Sequence, residues 1–380
     1  MKDLSIYFQP ITTDASFQAA QLGATIDVNR GEFPQLNEPG CAIFEVPEYR
    51  ASNHTELRQQ HDFRAHFYAL HPEINWNKKI YDLGTILPGA SLEDTYFAVA
   101  SVVAELVKNN IIPIIVGGSQ DLTMALYLGY EQLEQLVNTC SIDRGLDIGT
   151  PDSELNSTNF LSHIITRRPC YLFNHAAVGF QQPFAETAAH ELFEKLFFDI
   201  CRLGEFNQDF RKAEPHLRNA DIISVDLQSI KASELGSHIG APNGFTAAQF
   251  CQITKYAGIA DKVSCIGFFN EQELSPIGTS LLAEGIWYFL QGYFARVADF
   301  PFGSKSDYTK FSVFMDEVNR TLVFYKSNKS ARWWMEVPYP PQSGSKYERH
   351  HMVPCDKEDY DAAMKNELPD LWWKTYQKLG

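Results

Sequence analysis

The feature that most constrains this chain is a series of strand-length apolar runs, each ending on polar residues and most of them followed by helical periodicity. IIPIIVGGSQD (111 to 121) is a β-rich run stopped by two glycines, after which DLTMALYLGYEQLEQL resumes helical spacing. NTCSIDRGLD, CYLFNHAAVGF, ADIISVDLQS and KVSCIGFFNEQE repeat the pattern, with GCAIFEVPEY and KIYDLGTI as two earlier strands after an irregular first forty residues. SLEDTYFAVASVVAELVKNN (91 to 110) has a Ser N-cap, acids in its first turn and Lys in its last, which predicts a helix. Further helices are expected around AAHELFEKLFFDICRLG and through TSLLAEGIWYFLQGYFARVAD. Strands apolar on both sides must be covered on both faces. The expectation is a three-layer α/β/α fold with a mostly parallel sheet and function at the carboxyl ends of its strands.

A chain of 380 residues with a formal net charge of -15 lacks the clustered Lys and Arg that hold phosphate backbones, so no nucleic-acid partner is expected. No apolar run is long enough for a signal-peptide core or a membrane span, which points to a cytoplasmic protein with no membrane role. The seven cysteines are scattered and never form C-x-x-C, so they are read as buried small apolar residues rather than disulfides or zinc ligands.

Composition shifts near PFGSKSDYTK (301 to 310), dividing a domain over 1 to 300, with its motifs in 40 to 300, from an appendage over 301 to 380. The appendage carries a hairpin around Glu317 to Arg320, and tandem Trp333/Trp334 and Trp372/Trp373. These aromatics are expected to bury area on the main domain or on a neighbouring subunit. His350 and His351 are expected to be exposed.

Each polar cluster of interest follows one strand: Gln120 and Asp121, Asp143 and Asp147, Asp226 and Gln228, Glu271 and Glu273. In a parallel sheet these ends lie side by side, and carboxylates so placed need protons or cations among them.

The ordered set GGSQD, SIDRGLD, SVDLQS and ELSP resembles the arginase, agmatinase and formimidoylglutamase family of ureohydrolases. The resemblance implies hydrolysis of a guanidino or formimino C–N bond by hydroxide between two manganese ions. It also implies six ligands: a His after G-G-x, a D-x-H-x-D triplet and a D-x-D pair. Gln120 stands at the first His; Asp143 and Asp147 match the outer acids of the triplet, with Gly145 at its centre; Asp226 matches the first acid of the pair, with Gln228 at the second. By the same resemblance Asp143 and Asp226 bridge the ions, Asp147 and the position of Gln120 serve one of them, and positions 145 and 228 serve only the other. Glu273 matches a glutamate that grips the cationic end of the substrate, while Ser157, Asn159 and His163 fall in the region of a substrate loop.

Glycine supplies no ligand and an amide oxygen is a weak substitute for a carboxylate, so the expected cofactor is none or one divalent cation (Mn²⁺, Mg²⁺ or Ca²⁺). Lys231 or Arg144 is then expected to compensate the carboxylates, although strand alternation turns Arg144 away from Asp143. The favoured expectation is a pseudoenzyme, nearest to formimidoylglutamase, that binds a small cationic metabolite or a partner and forms a homo-oligomer. The alternative is an active hydrolase of linear amidine or guanidine bonds with one metal or none, using Asp143 or Asp147 as general base. A pure assembly role through the Trp-rich tail is the third account.

Overall fold

The computed structural model describes residues 2–12, 16–53, 62–150, 152–236, 241–271, 274–301, 304–316 and 318–380. Nine strands form one sheet: β1 (Asp27–Val28), β2 (Gly40–Glu45), β3 (Lys79–Thr85), β4 (Ile111–Val116), β5 (Val137–Ile142), β6 (Leu172–Phe180), β7 (Asp199–Arg202), β8 (Ile222–Asp226) and β9 (Cys265–Phe269). Their order is β1-β3-β2-β4-β9-β8-β5-β6-β7, and every paired neighbour is parallel.

Alternate side chains of the apolar strands serve two different cores. Along β4, Ile112, Ile114 and Val116 join one cluster with the helices Phe63–Ala69, Ala247–Ile259 and Pro276–Phe294. Ile111 and Ile115 join the other, with the helices Leu92–Lys108, Leu122–Gln132 and Phe160–Thr166. The fold is therefore three-layered, and unbroken apolar runs are what a strand between two helical layers requires. Pro113, which donates no ladder bond, precedes the part of β4 that pairs with β9. The helix Leu92–Lys108 begins with a full capping box between Ser91 and Asp94.

One expected helix is broken. AAHELFEKLFFDICRLG forms the helix Thr187–Lys195, the strand β7 and the short helix Leu203–Gln208. The break falls at Phe197, whose φ of +55° ends helical geometry and lets Asp199–Arg202 pair with β6 at the sheet edge. All seven cysteines are free, and only Cys170 is not fully buried. No helix among the described residues is long and apolar enough to cross a membrane.

A second sheet is antiparallel, in the order β10 (Tyr308–Met315), β11 (Arg320–Ser327), β12 (Trp333–Glu336), β13 (Met352–Cys355). It contains the expected hairpin; Glu317 itself lies outside the described residues. Trp333, Trp334 and Trp372 are buried, whereas Trp373 is 42% exposed. His350 is not exposed as expected but 3% accessible, because its ring packs 4.3 Å from that of Phe173 on β6.

Arg218, buried just before β8, clasps this second sheet to the first. Its Nη1 and Nη2 donate to the carbonyls of Trp333 (3.1 Å) and Cys355 (2.9 Å), and its guanidinium lies 4.4 Å from the Trp334 ring centroid. Glu214 balances both Arg218 (3.2 Å) and Arg332 (3.0 Å). Replacing Arg218 by Met strands two buried carbonyls and a half-paired carboxylate. Urea unfolding followed by Trp fluorescence is expected to show a loss of about 3 kcal/mol or more in the Arg218→Met variant.

Candidate functional site

Four strands that neighbour one another, β4, β9, β8 and β5, deliver the polar clusters to one end of the sheet. The chain passes from β4 to β5 across a gap of two strands and fills that gap last with β8 and β9, a strand-order switch of the kind that opens a crevice in doubly wound sheets. A cavity of about 430 Å³ lies there, with Gln120, Asp143, Asp147, Asp226, Gln228 and Asn270 in its wall.

After β5, the Asp143 amide donates to the Val178 carbonyl (3.0 Å), carrying the ladder one residue further before the chain turns. The turn is closed by the Gly145 amide donating to Asp143 Oδ1 (2.7 Å). Asp147 adopts φ +52°, a left-handed conformation that Asp tolerates better than most residues. After β4, Gly117 and Gly118 take φ +97° and +78°, and a Cβ on Gly118 would stand 2.8 Å from the Val46 carbonyl oxygen. Only glycine permits that approach, which seats Gln120 in the cavity wall. Asp226 ends β8; its Oδ1 accepts from the Gln228 amide (2.9 Å) and from Asn270 Nδ2 (2.8 Å).

Arg144 does not turn away from this group, as strand alternation suggested. β5 ends at Ile142, so the alternation lapses before position 144, and the side chain enters the cavity wall. Its Nη2 donates to Gln228 Oε1 (3.1 Å), and its guanidinium carbon lies 4.7 Å from the centroid of the Phe184 ring. Lys231 does not line the cavity; its amide donates to the Phe245 carbonyl (2.9 Å) at the start of a short helix.

The three aspartates are buried, and burial is the largest influence on each. It raises the pKa of Asp143 against the Gly145 amide, the Gln120 amide and the Arg144 charge. Asp226 is raised to about 7 by burial and the Asp143 charge, opposed by Asn270, the Gln228 amide and Arg144. Asp147 is pushed well above the usual carboxylate range by burial and by the charges of Asp143 and Asp226. Asp143 Oδ2 and Asn270 Oδ1 are buried without a hydrogen-bond partner among the described residues. A site of this kind wants donors or positive charge. No group of three or more His, Cys, Asp or Glu among the described residues is set to hold a metal ion.

Of the substrate-loop candidates, Ser157 lines the cavity beside Thr158 and Asn53. Asn159 serves the loop instead: its Oδ1 accepts from the Asn156 amide (2.8 Å), and its Nδ2 donates to Ser153 Oγ and the Glu154 carbonyl (2.8 Å each). His163 sits half-buried on the helix Phe160–Thr166, outside the cavity wall. Glu273 lies outside the described residues.

Two participants, Asn270 and Tyr49, went unread in the sequence. Asn270, at φ +65°, orients Asp226; an Asn directly after the run CIGFF was the available signal, since Asn favours that backbone region. Behind the cavity, Tyr49 donates its hydroxyl to the buried carboxyl of Glu271, a contact between residues far apart in sequence. Burial raises Glu271 from 4.5 to about 8. Because the folded chain holds this proton more tightly than the unfolded chain, the contribution to stability is full below pH 4.5 and lost as pH rises through about 8. In Glu271→Gln that dependence disappears, so its stability relative to the parent is expected to rise across this window by up to about 1.4 kcal/mol per pH unit, measured by urea unfolding at several pH values.

No protein-family profile and no curated protein sequence matches the chain. Solved structures do. Formimidoylglutamase from Bacillus subtilis is similar with a TM-score of 0.62 at 15% identity, over 76% of this chain and 97% of that one. Trypanosoma cruzi formiminoglutamase, in a crystal structure with Mn²⁺, is similar with a TM-score of 0.59 at 17% identity, over 68% and 94%. Agmatine ureohydrolase of Thermoplasma volcanium is similar with a TM-score of 0.54 at 17% identity, over 69% and 92%. The nine-stranded parallel sheet and its helical layers thus make up the arginase-like α/β/α fold of these solved structures.

Proposed function

We propose that this ureohydrolase-fold chain lacks a two-manganese centre and uses its carboxylate cavity as a pocket for a small cationic metabolite. The observation that carries the reading is the contact between Arg144 and Gln228. At the two positions that the resemblance reserves for one ion, Gly145 offers no side chain and Gln228 spends its amide oxygen on a guanidinium. The residues present do not fit a two-ion centre, and no step of catalysis is derived through one. What the cavity retains is acceptor capacity: three buried aspartates, and unpaired oxygens on Asp143 and Asn270 among the described residues. Those are the partners that the N–H groups of an amidinium, guanidinium or ammonium ion satisfy. The chain's net charge of -15 favours the approach of such ions.

One observation favours the second reading, an active hydrolase of linear amidines using one metal or none. Asp226, rather than the Asp143 or Asp147 expected from the sequence, has a pKa raised to about 7 and is thereby poised for general-base work near neutral pH.

Elemental analysis after loading with excess Mn²⁺ and removal of free ion is expected to find at most one equivalent per chain. Two tightly held equivalents would overturn the proposal. In the same preparation, an alkylguanidine or a linear diamine is expected to raise the thermal midpoint by an amount that grows with the logarithm of ligand concentration once past its dissociation constant.

A further inference from the structure

We infer that Arg144 is a tethered cation that occupies one ion's share of the cavity and keeps a divalent metal out of it. This rests on reading the cavity as free of a two-metal centre, and it adds the residue responsible.

The backbone that launches Arg144 is pinned on both sides. The amide of Asp143 is tied to Val178, and the carbonyl of Arg144 accepts from the Gln181 amide (3.0 Å). From this fixed point the side chain reaches from the turn after β5 to the turn after β8, where Gln228 takes one N–H and the Phe184 ring covers the guanidinium at 4.7 Å. Those two turns carry Asp143 and Asp226, the acids that the resemblance makes common to both ions. The Arg144 charge favours the ionised form of each, whereas it is not among the influences on Asp147. A guanidinium stays charged across the physiological range, so this compensation is permanent.

Sterics do not explain the missing ligand at position 145. A Cβ built on Gly145 meets Asp143 Oδ1 at 3.6 Å, Asp147 Oδ1 at 3.9 Å and the Phe184 carbonyl oxygen at 3.9 Å, all ordinary contacts. Room for a Cβ exists between the two carboxylates. What opposes a divalent ion is the positive charge already fixed beside them and the Gln228 oxygen it occupies. With Arg144 answering Asp143 and Asp226, Asp147 and Asp143 Oδ2, which has no hydrogen-bond partner among the described residues, are left to face the cationic end of a ligand.

The test compares Mn²⁺ binding, by equilibrium dialysis with elemental analysis and by thermal shift, in the parent chain, Arg144→Met and Arg144→Lys. Arg144→Met is expected to bind Mn²⁺ roughly ten- to hundred-fold more tightly than the parent, at one equivalent, while Arg144→Lys, which keeps the charge, stays near the parent. Equal Mn²⁺ affinity in the parent and a folded Arg144→Met overturns the inference and leaves the proposed function standing. Two equivalents in the parent overturn the proposed function itself. Should Arg144→Met fail to fold, the comparison moves to Gly145→His/Gln228→Asp with and without Arg144→Gln. The triple variant is then expected to bind at least about tenfold more tightly than the double, and equality overturns the inference.

Discussion

The packing of β8 between β5 and β9 sets the terms for everything at the carboxyl end of the sheet. Because the strands are parallel and in register, with Ile142 opposite Val225 and Asp226 opposite Phe269, the aspartates at the carboxyl ends of β5 and β8 meet in one crevice. Like charges buried together are unfavourable unless something positive or protic stands among them. The fold creates that demand whatever the chemistry. Here the demand is met by the amides of Gly145, Gln228 and Asn270, by the charge of Arg144, and by raised proton affinity at all three acids.

That way of meeting the demand separates scaffold from chemistry. Glycines 117 and 118, the left-handed Asp147 and the ladder from Val178 to Asp143 shape a pocket wall with or without catalysis. Two solved formimidoylglutamase-type structures and an agmatine ureohydrolase are similar in fold at 15 to 17% identity, a level at which side chains at the strand ends are free to change. A function inferred from the fold alone would overlook the residues at 120, 145 and 228.

Much of the sheet was legible because β4 and β9 are unbroken apolar runs and the polar residues within β5 and β8 (Asn138, Thr139, Ser141 and Ser224) are short side chains set among apolar ones. β7 was not legible: FFDICR has the same apolar content as the helix before it, and the separation depends on one left-handed residue, Phe197. The acids of the crevice were legible by their place after apolar runs. Arg144 was misdirected because alternation was carried past the last strand residue, where the backbone already turns. Asn270 and the Tyr49–Glu271 pair escaped because their partners lie 44 and 222 residues away, and single-sequence patterns contain no information on contacts of that kind.

The clasp on Arg218 has a consequence for the crevice. Arg218 lies four residues before β8, and Asp221, the residue before the strand, is paired with Lys262 and with Arg349 of the second sheet's β12–β13 connection. The same five-residue strand ends at Asp226. β8 is thus a short strand, held at its base by the C-terminal region and carrying a cavity carboxylate at its tip. The tryptophan-rich tail, remote from the cavity in sequence, is mechanically one strand away from it.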